Sequence, residues 1–227
     1  PKGPPQSEVY QFSYCYEPAN QVGGDMFDYV RLPDNRLAVI VADVAGKGVS
    51  AALLMAKVSS DARYWLAGER RPAVAITRLS EAFIQAGWSD RFVTFLLALI
   101  DYTTHEVTLV NAGHMPPILR HADGTVEEVG EDAAGVPIGV AEDWEYEEFK
   151  LQLQPGDTLT CFTDGFSEAS NDQEELYGNE RLLAQAALPA ANVQELGDRI
   201  LADVHKFVGD YKQSDDMCLL CFGRNAE

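Results

Sequence analysis

Four aspartates stand where apolar runs of this chain begin or end. Asp25 closes Gly23-Gly24-Asp25, Asp43 follows the run Leu37–Ala42, Asp164 sits in Thr163-Asp164-Gly165, and Asp215 precedes Asp216 just ahead of a further apolar run. A carboxylate delivered by a strand into backbone freed by glycine is a suitable place to hold a hard cation or a phosphate. Taken singly, each of these is an ordinary turn residue. If all four converge, about four negative charges share a small volume, which requires cations or protonation. Oxygen donors without His or Cys beside them suit magnesium or manganese rather than zinc or copper. Two such ions about 3.5–4 Å apart would acidify a water between them and aim it at phosphorus.

The elements that must position these residues follow from periodicity. Val9–Tyr16 reads as a strand, residues 23–32 as a second, and Arg36–Val44 as a buried central strand. Ser50–Gly68 is helical, with Leu53, Leu54, Val58, Ala62, Trp65 and Leu66 at helical spacing, and Pro72–Ala86 is a second helix with Pro72 in its first turn. Strands follow at Phe92–Tyr102, Glu106–Ala112, Ile118–His121, Thr125–Val129, Glu145–Leu153 and Thr158–Thr163, the segment 130–143 being loop. A polar stretch runs from Asp164-Gly165 to Asn179. Helices at Glu180–Ala187 and Val193–Val208 and a last strand at Met217–Phe222 complete the chain. Regular β–α alternation is absent, so an α+β arrangement of mostly antiparallel sheets covered by helices is expected. Each helical pair lacks a sheet of its own in this reading, so one domain over residues 9–227 is expected. Residues 1–8 have the composition of a linker, which points to an output domain of a longer protein.

The chain has 227 residues, 36 of them acidic and 17 basic, for a net charge of −19. Nucleic acid and anionic membrane are therefore excluded as expected partners, since both demand a basic face. No apolar run is long enough to cross a membrane and no signal peptide is present, so no membrane insertion and a cytoplasmic location are expected. Cys218 and Cys221 are three apart on a strand and point to opposite faces, so they cannot grip one ion. Reduced core cysteines are expected. The four histidines, His105, His114, His121 and His205, are dispersed. Gly46-Lys47-Gly48-Val49-Ser50 fails the nucleotide-binding P-loop pattern, with Val41 in the first glycine's place. Ser167 fails the nucleophile-elbow pattern because of Ala169.

Five segments in order, QVGGDMFD, ADVAGKGVSAALLM, NAGHMPPIL, TDGFSEA and SDDMCLL, resemble the SpoIIE/RsbU-like branch of the metal-dependent Ser/Thr protein phosphatases, the protein phosphatase 2C-like family. The resemblance runs from about Tyr10 to Phe222. It implies a four-layer α-β-β-α sandwich and two divalent cations, Mn2+ or Mg2+. It further implies that Asp43 bridges both ions, that Asp25 and the carbonyl of Val44 complete one site, and that Asp164 and Asp215 complete the other. Asp216, Gly24 and Gly165 fall next to these ligands. The implied substrate is phosphoserine or phosphothreonine on a bacterial regulatory protein, such as an anti-sigma-factor antagonist, and a receiver or sensor domain commonly precedes such a phosphatase.

The arginine that holds phosphate in eukaryotic relatives has no counterpart, and Arg31 and Lys47 are candidates by position alone. His114 lies in a tight turn where Asn111 can bond the backbone, a packing role; the general acid is unassigned. Two alternatives stand beside the phosphoprotein phosphatase: a catalytically silent phosphatase-fold binding module, and a metal-dependent hydrolase of small phosphoesters.

Overall fold

A computed structural model describes residues 3–88 and 90–226, which form two compact units. Residues 1 and 2 of the linker-like segment lie outside this description, and residues 3–8 carry no helix or strand.

One unit comprises Gln21–Pro116 and Gly130–Gln152. Its sheet contains β2 (Asp25–Leu32), β3 (Arg36–Val44), β4 (Val93–Asp101), β5 (Glu106–Ala112) and β8 (Phe149–Gln152), in that spatial order. Every pairing between them is antiparallel. Helices α1 (Val49–Gly68) and α2 (Pro72–Gln85) cover one face. There Ala38, Ile40, Ala42 and Val44 join Leu54, Val58, Ala62, Ile76 and Leu79 in one apolar core. Strand alternation therefore turns Leu37, Val39, Val41 and Asp43 toward the opposite face. The first three of these are also buried, which explains why β3 reads as an unbroken apolar run.

The other unit contains the chain up to Asn20, Pro117–Val129 and Leu153 onward. Its antiparallel sheet runs β1 (Tyr10–Glu17), β10 (Met217–Arg224), β9 (Thr158–Phe162), β6 (Ile118–Arg120), β7 (Val126–Glu128). Helix α5 (Val193–Val208) packs on β1 and β10, and α4 (Asn179–Ala187) packs on α5. The α5 helix opens with Asn192, whose side chain accepts the Glu195 N–H. Its Gly197 brings the helix against Leu219, Cys221 and Ser13, so those residues face α5 while Cys218 points away.

All four cysteines are free, three of them buried and Cys15 half-buried. Burial, with Glu17 nearby, pushes the Cys15 thiol up to about 11; burial likewise pushes Cys221 up to about 12. Neither offers the thiolate that zinc would need.

Four departures from the sequence expectation have physical causes. The strand expected over Glu145–Leu153 forms only at Phe149–Gln152, because the preceding residues bond to α2 instead. The Tyr146 N–H donates to Thr77 Oγ1, and Glu148 Oε1 accepts the Ala73 N–H. The polar stretch after Phe162 begins with a helical turn, α3 (Asp164–Ser167), where Ser167 Oγ donates to the Asp164 carbonyl. Leu53, expected on the buried stripe of α1, is 68% exposed, the neighbouring Leu54 taking the core position. Each helical pair does have a sheet of its own.

Candidate metal centre

Asp25 and Asp43 are direct partners in the β2–β3 register. Opposed residues of an antiparallel pair project to the same face, with Cα atoms about 4.5–5.5 Å apart. Asp25 is 7% exposed and Asp43 is half-buried. Two like charges placed opposite each other destabilise a sheet, so this pair calls for a cation or a proton. Thr94 of β4 continues the row beside Asp43, and its hydroxyl is 2.8 Å from His114 Nδ1.

The backbone around this pair is close-packed. A Cβ added to Gly24 would fall 3.1 Å from the Val44 carbonyl oxygen and 3.4 Å from that of Gly46, so glycine lets the two segments meet. Ala45, next in chain, is gripped on both of its polar groups: its N–H donates to the Phe92 carbonyl, and its carbonyl accepts from Arg91 Nη1 at 2.8 Å. A Cβ on Gly46, whose φ is +121°, would meet that same Nη1 at 1.9 Å. Arg91 thus fixes the turn that follows Asp43 and Val44. It was missed in the sequence because it lies far downstream, in no motif, next to an ordinary Asp90.

Asp164 and Asp215 belong to the other unit. Asp164 begins α3 directly after β9, and Asp215 precedes β10, the strand paired with β9. The segments are joined where the Thr163 N–H donates to the Cys218 carbonyl and the Cys218 N–H donates to Thr163 Oγ1. A Cβ on Gly165 would lie 1.8 Å from the Asp216 carbonyl oxygen, so only glycine permits this approach. Asp215 Oδ1 accepts the Asp216 N–H, and the buried Asp216 carboxylate accepts the Ala19 N–H at 2.8 Å, tying the end of β1 to the turn.

Arg31 sits at the far end of β2 from Asp25 and is exposed, and Lys47 is exposed in the turn. Asn111 Nδ2 donates to the His114 carbonyl while its Oδ1 accepts the His114 N–H, with Gly113 at φ +65°. The packing role expected of the NAGH turn is what these bonds describe.

Among the described residues, no group of three or more His, Cys, Asp or Glu side chains is gathered to hold one ion. Asp25 and Asp43 are opposed across β2 and β3 with the Val44 carbonyl close to Gly24, and Asp164 and Asp215 flank the paired strands β9 and β10 with the Asp216 carbonyl close to Gly165. That set fits magnesium or manganese, which bind through one or two carboxylates and keep several waters.

The α+β chain with two antiparallel sheets has the protein phosphatase 2C-like fold. Residues 33–225 match the family of stage II sporulation protein E (SpoIIE), and the chain belongs to that family. It is 25% identical to phosphoserine phosphatase RsbU of Bacillus subtilis, over 97% of this chain and 65% of that protein. It is also 25% identical to protein IcfG of Synechocystis, over 97% of this chain and 39% of that protein. The chain thus spans 39% and 65% of the length of these curated relatives. Among solved structures, the phosphatase domain of SpoIIE from Bacillus subtilis superimposes with a TM-score of 0.83 at 19% identity, covering 96% of this chain and 64% of that one.

Proposed function

We propose that this chain hydrolyses phosphoserine or phosphothreonine on a regulatory protein, with divalent cations as cofactors. The observation that carries the reading is the opposed Asp25–Asp43 pair in a chain of the SpoIIE family. In this reading Asp25, Asp43 and the Val44 carbonyl hold one ion, and Asp164 and Asp215 hold the other. When bound, Mn2+ or Mg2+ neutralises the phosphate and supplies an acidified water as nucleophile. Asp43 and Asp25 contribute fixed negative charge in a rigid cross-strand register. Gly24 and Gly165 keep side chains out of the space the carbonyls fill, and Arg91 holds the turn that aims the Val44 carbonyl. The substrate in this reading is a phosphorylated cytoplasmic regulator, for example an anti-sigma-factor antagonist, and a receiver or sensor domain governs the activity.

Manganese-dependent release of phosphate from a phosphoserine peptide and from an aryl phosphate tests this. Asp43→Asn is expected to cut turnover at least about a hundredfold, the range seen when a charge-stabilising group is lost. Its metal-free melting temperature should be unchanged or raised, because one of two opposed like charges is gone. Turnover surviving in Asp43→Asn would contradict the assignment. Absence of turnover in the native chain, with metal still bound, would favour the binding-module reading. Activity confined to small phosphate esters would favour the third reading.

A further inference from the structure

Helix α5 ends at Gly209, which has φ +61° and donates its N–H to the His205 carbonyl. A φ of that sign favours glycine and lets the chain leave the helix sharply. The Tyr211 N–H then donates to the Val208 carbonyl, and Gln213 Nε2 donates to the carbonyls of Glu17 and Asp215, each at 2.8 Å. The loop 210–214 is therefore tied down at both ends as it delivers Asp215 to β10. Between this loop, the end of α5 and the turn after α3 lies a cavity of about 190 Å³. Asp215 is one of its lining residues, so the cavity adjoins a candidate metal ligand.

The polar groups of the lining are largely spent within the protein. His205 Nε2 is 2.8 Å from Glu17 Oε2, the Gln213 amide is held by its two carbonyls, and Asp215 Oδ1 accepts the Asp216 N–H. What the cavity offers a ligand is apolar: Ala169, Val208, Tyr211 and Met217 form its walls. Met217 has its Cγ 3.4 Å from where a Cβ on Gly165 would lie, and its unbranched thioether adapts to what it meets. Tyr211 is 43% exposed, a large ring left partly in water. Beside it Lys212 is exposed and makes no ion pair among the described residues, in a chain whose net charge is −19. Sites for whole small molecules occupy about 300–1,000 Å³; this smaller cavity suits a single side chain.

We propose that this pocket takes a large aliphatic side chain next to the phosphoserine of the substrate protein, while Lys212 attracts the phosphorylated segment. The proposal rests on the phosphoprotein reading above and adds what that substrate must carry. A phosphoserine presented to Asp164 and Asp215 has its chain neighbours beside the cavity that Asp215 lines. Each phosphoserine brings about −1.5 to −2 charges toward an acidic surface, and Lys212 offsets part of that repulsion at the pocket. Small phosphate esters have no side chain to place here, so the pocket favours a protein substrate over them.

The test uses fluorescent phosphoserine peptides with Leu, Ala or Glu at each position next to the phosphoserine in turn. Anisotropy titration in EDTA reads binding without turnover, and phosphate release in manganese reads both. At one of the two positions Leu is expected to bind about tenfold tighter than Ala in EDTA, the scale on which apolar pockets discriminate. In manganese the same exchange should lower KM by a similar factor. Tyr211→Ser, which removes a wall, and Val208→Phe, which fills the cavity, should each erase most of that ratio. If Val208→Phe does not fold, Tyr211→Ser carries the test alone. Lys212→Glu should weaken all the phosphopeptides several-fold, most at low salt. No Leu preference in EDTA would overturn the pocket, whatever the turnover. So would a preference that survives Tyr211→Ser undiminished, or an affinity untouched by Lys212→Glu. A Leu preference in EDTA without phosphate release in manganese would support the pocket and overturn the enzyme reading instead.

Discussion

At the scale of single residues, the candidate site rests on side chains whose partners are backbone groups. Asp216 holds the Ala19 amide, and Asn111 closes the turn at His114. Arg91 holds the Ala45 carbonyl from across the Gly46 turn. Asn111 stood in a motif and its bond to the backbone of that turn was legible in the sequence; the Ala19 bond of Asp216 was not, since it joins residues 197 apart. Arg91 was not, because a positioning residue betrays itself by the carbonyl it reaches rather than by its neighbours in the chain. Arg91→Ala removes a charge-assisted bond worth about 1.5–3 kcal/mol from the turn beside the Val44 carbonyl. The expected outcome is a roughly tenfold or greater rise in the manganese concentration for half-maximal binding, with Arg91→Lys recovering part of it. Equal manganese affinity in Arg91→Ala and the native chain, read by calorimetry, would remove Arg91 from the site.

At the scale of elements, sequence periodicity sufficed where one force dominated. The apolar run of β3 and the amphipathic pattern of α5 were read with the boundaries that the structure has. It failed where two elements compete for the same residues. Residues 145–148 have strand composition, yet Tyr146 and Glu148 bond to α2. Helix α1 has apolar residues on several sides, so its spacing could not tell Leu53 from Leu54. Gly24 and Gly165 stand beside candidate ligands for a tertiary reason: each faces a carbonyl of another segment. Gly165→Ala would press a methyl into the Asp216 carbonyl, with an ideal separation of 1.8 Å. Overpacking of this kind costs about 1–3 kcal/mol or more, so its melting temperature should fall by several degrees. Full native stability in Gly165→Ala would mean that the β9–β10 turn is not held as described.

At the scale of the whole molecule, the family and its antiparallel sheets were legible because five short segments recur in a fixed order along nearly the entire chain. The division into two compact units was not, since each is assembled from segments interleaved along the sequence. Each unit carries two of the four candidate aspartates, and the proposed chemistry requires all four to bind cations. Anomalous diffraction from crystals soaked in manganese tests this most directly. The account expects two peaks, one touched by Asp25, Asp43 and the Val44 carbonyl and the other by Asp164 and Asp215. Manganese at millimolar concentration that leaves these carboxylates without density, or binds only elsewhere, would contradict it.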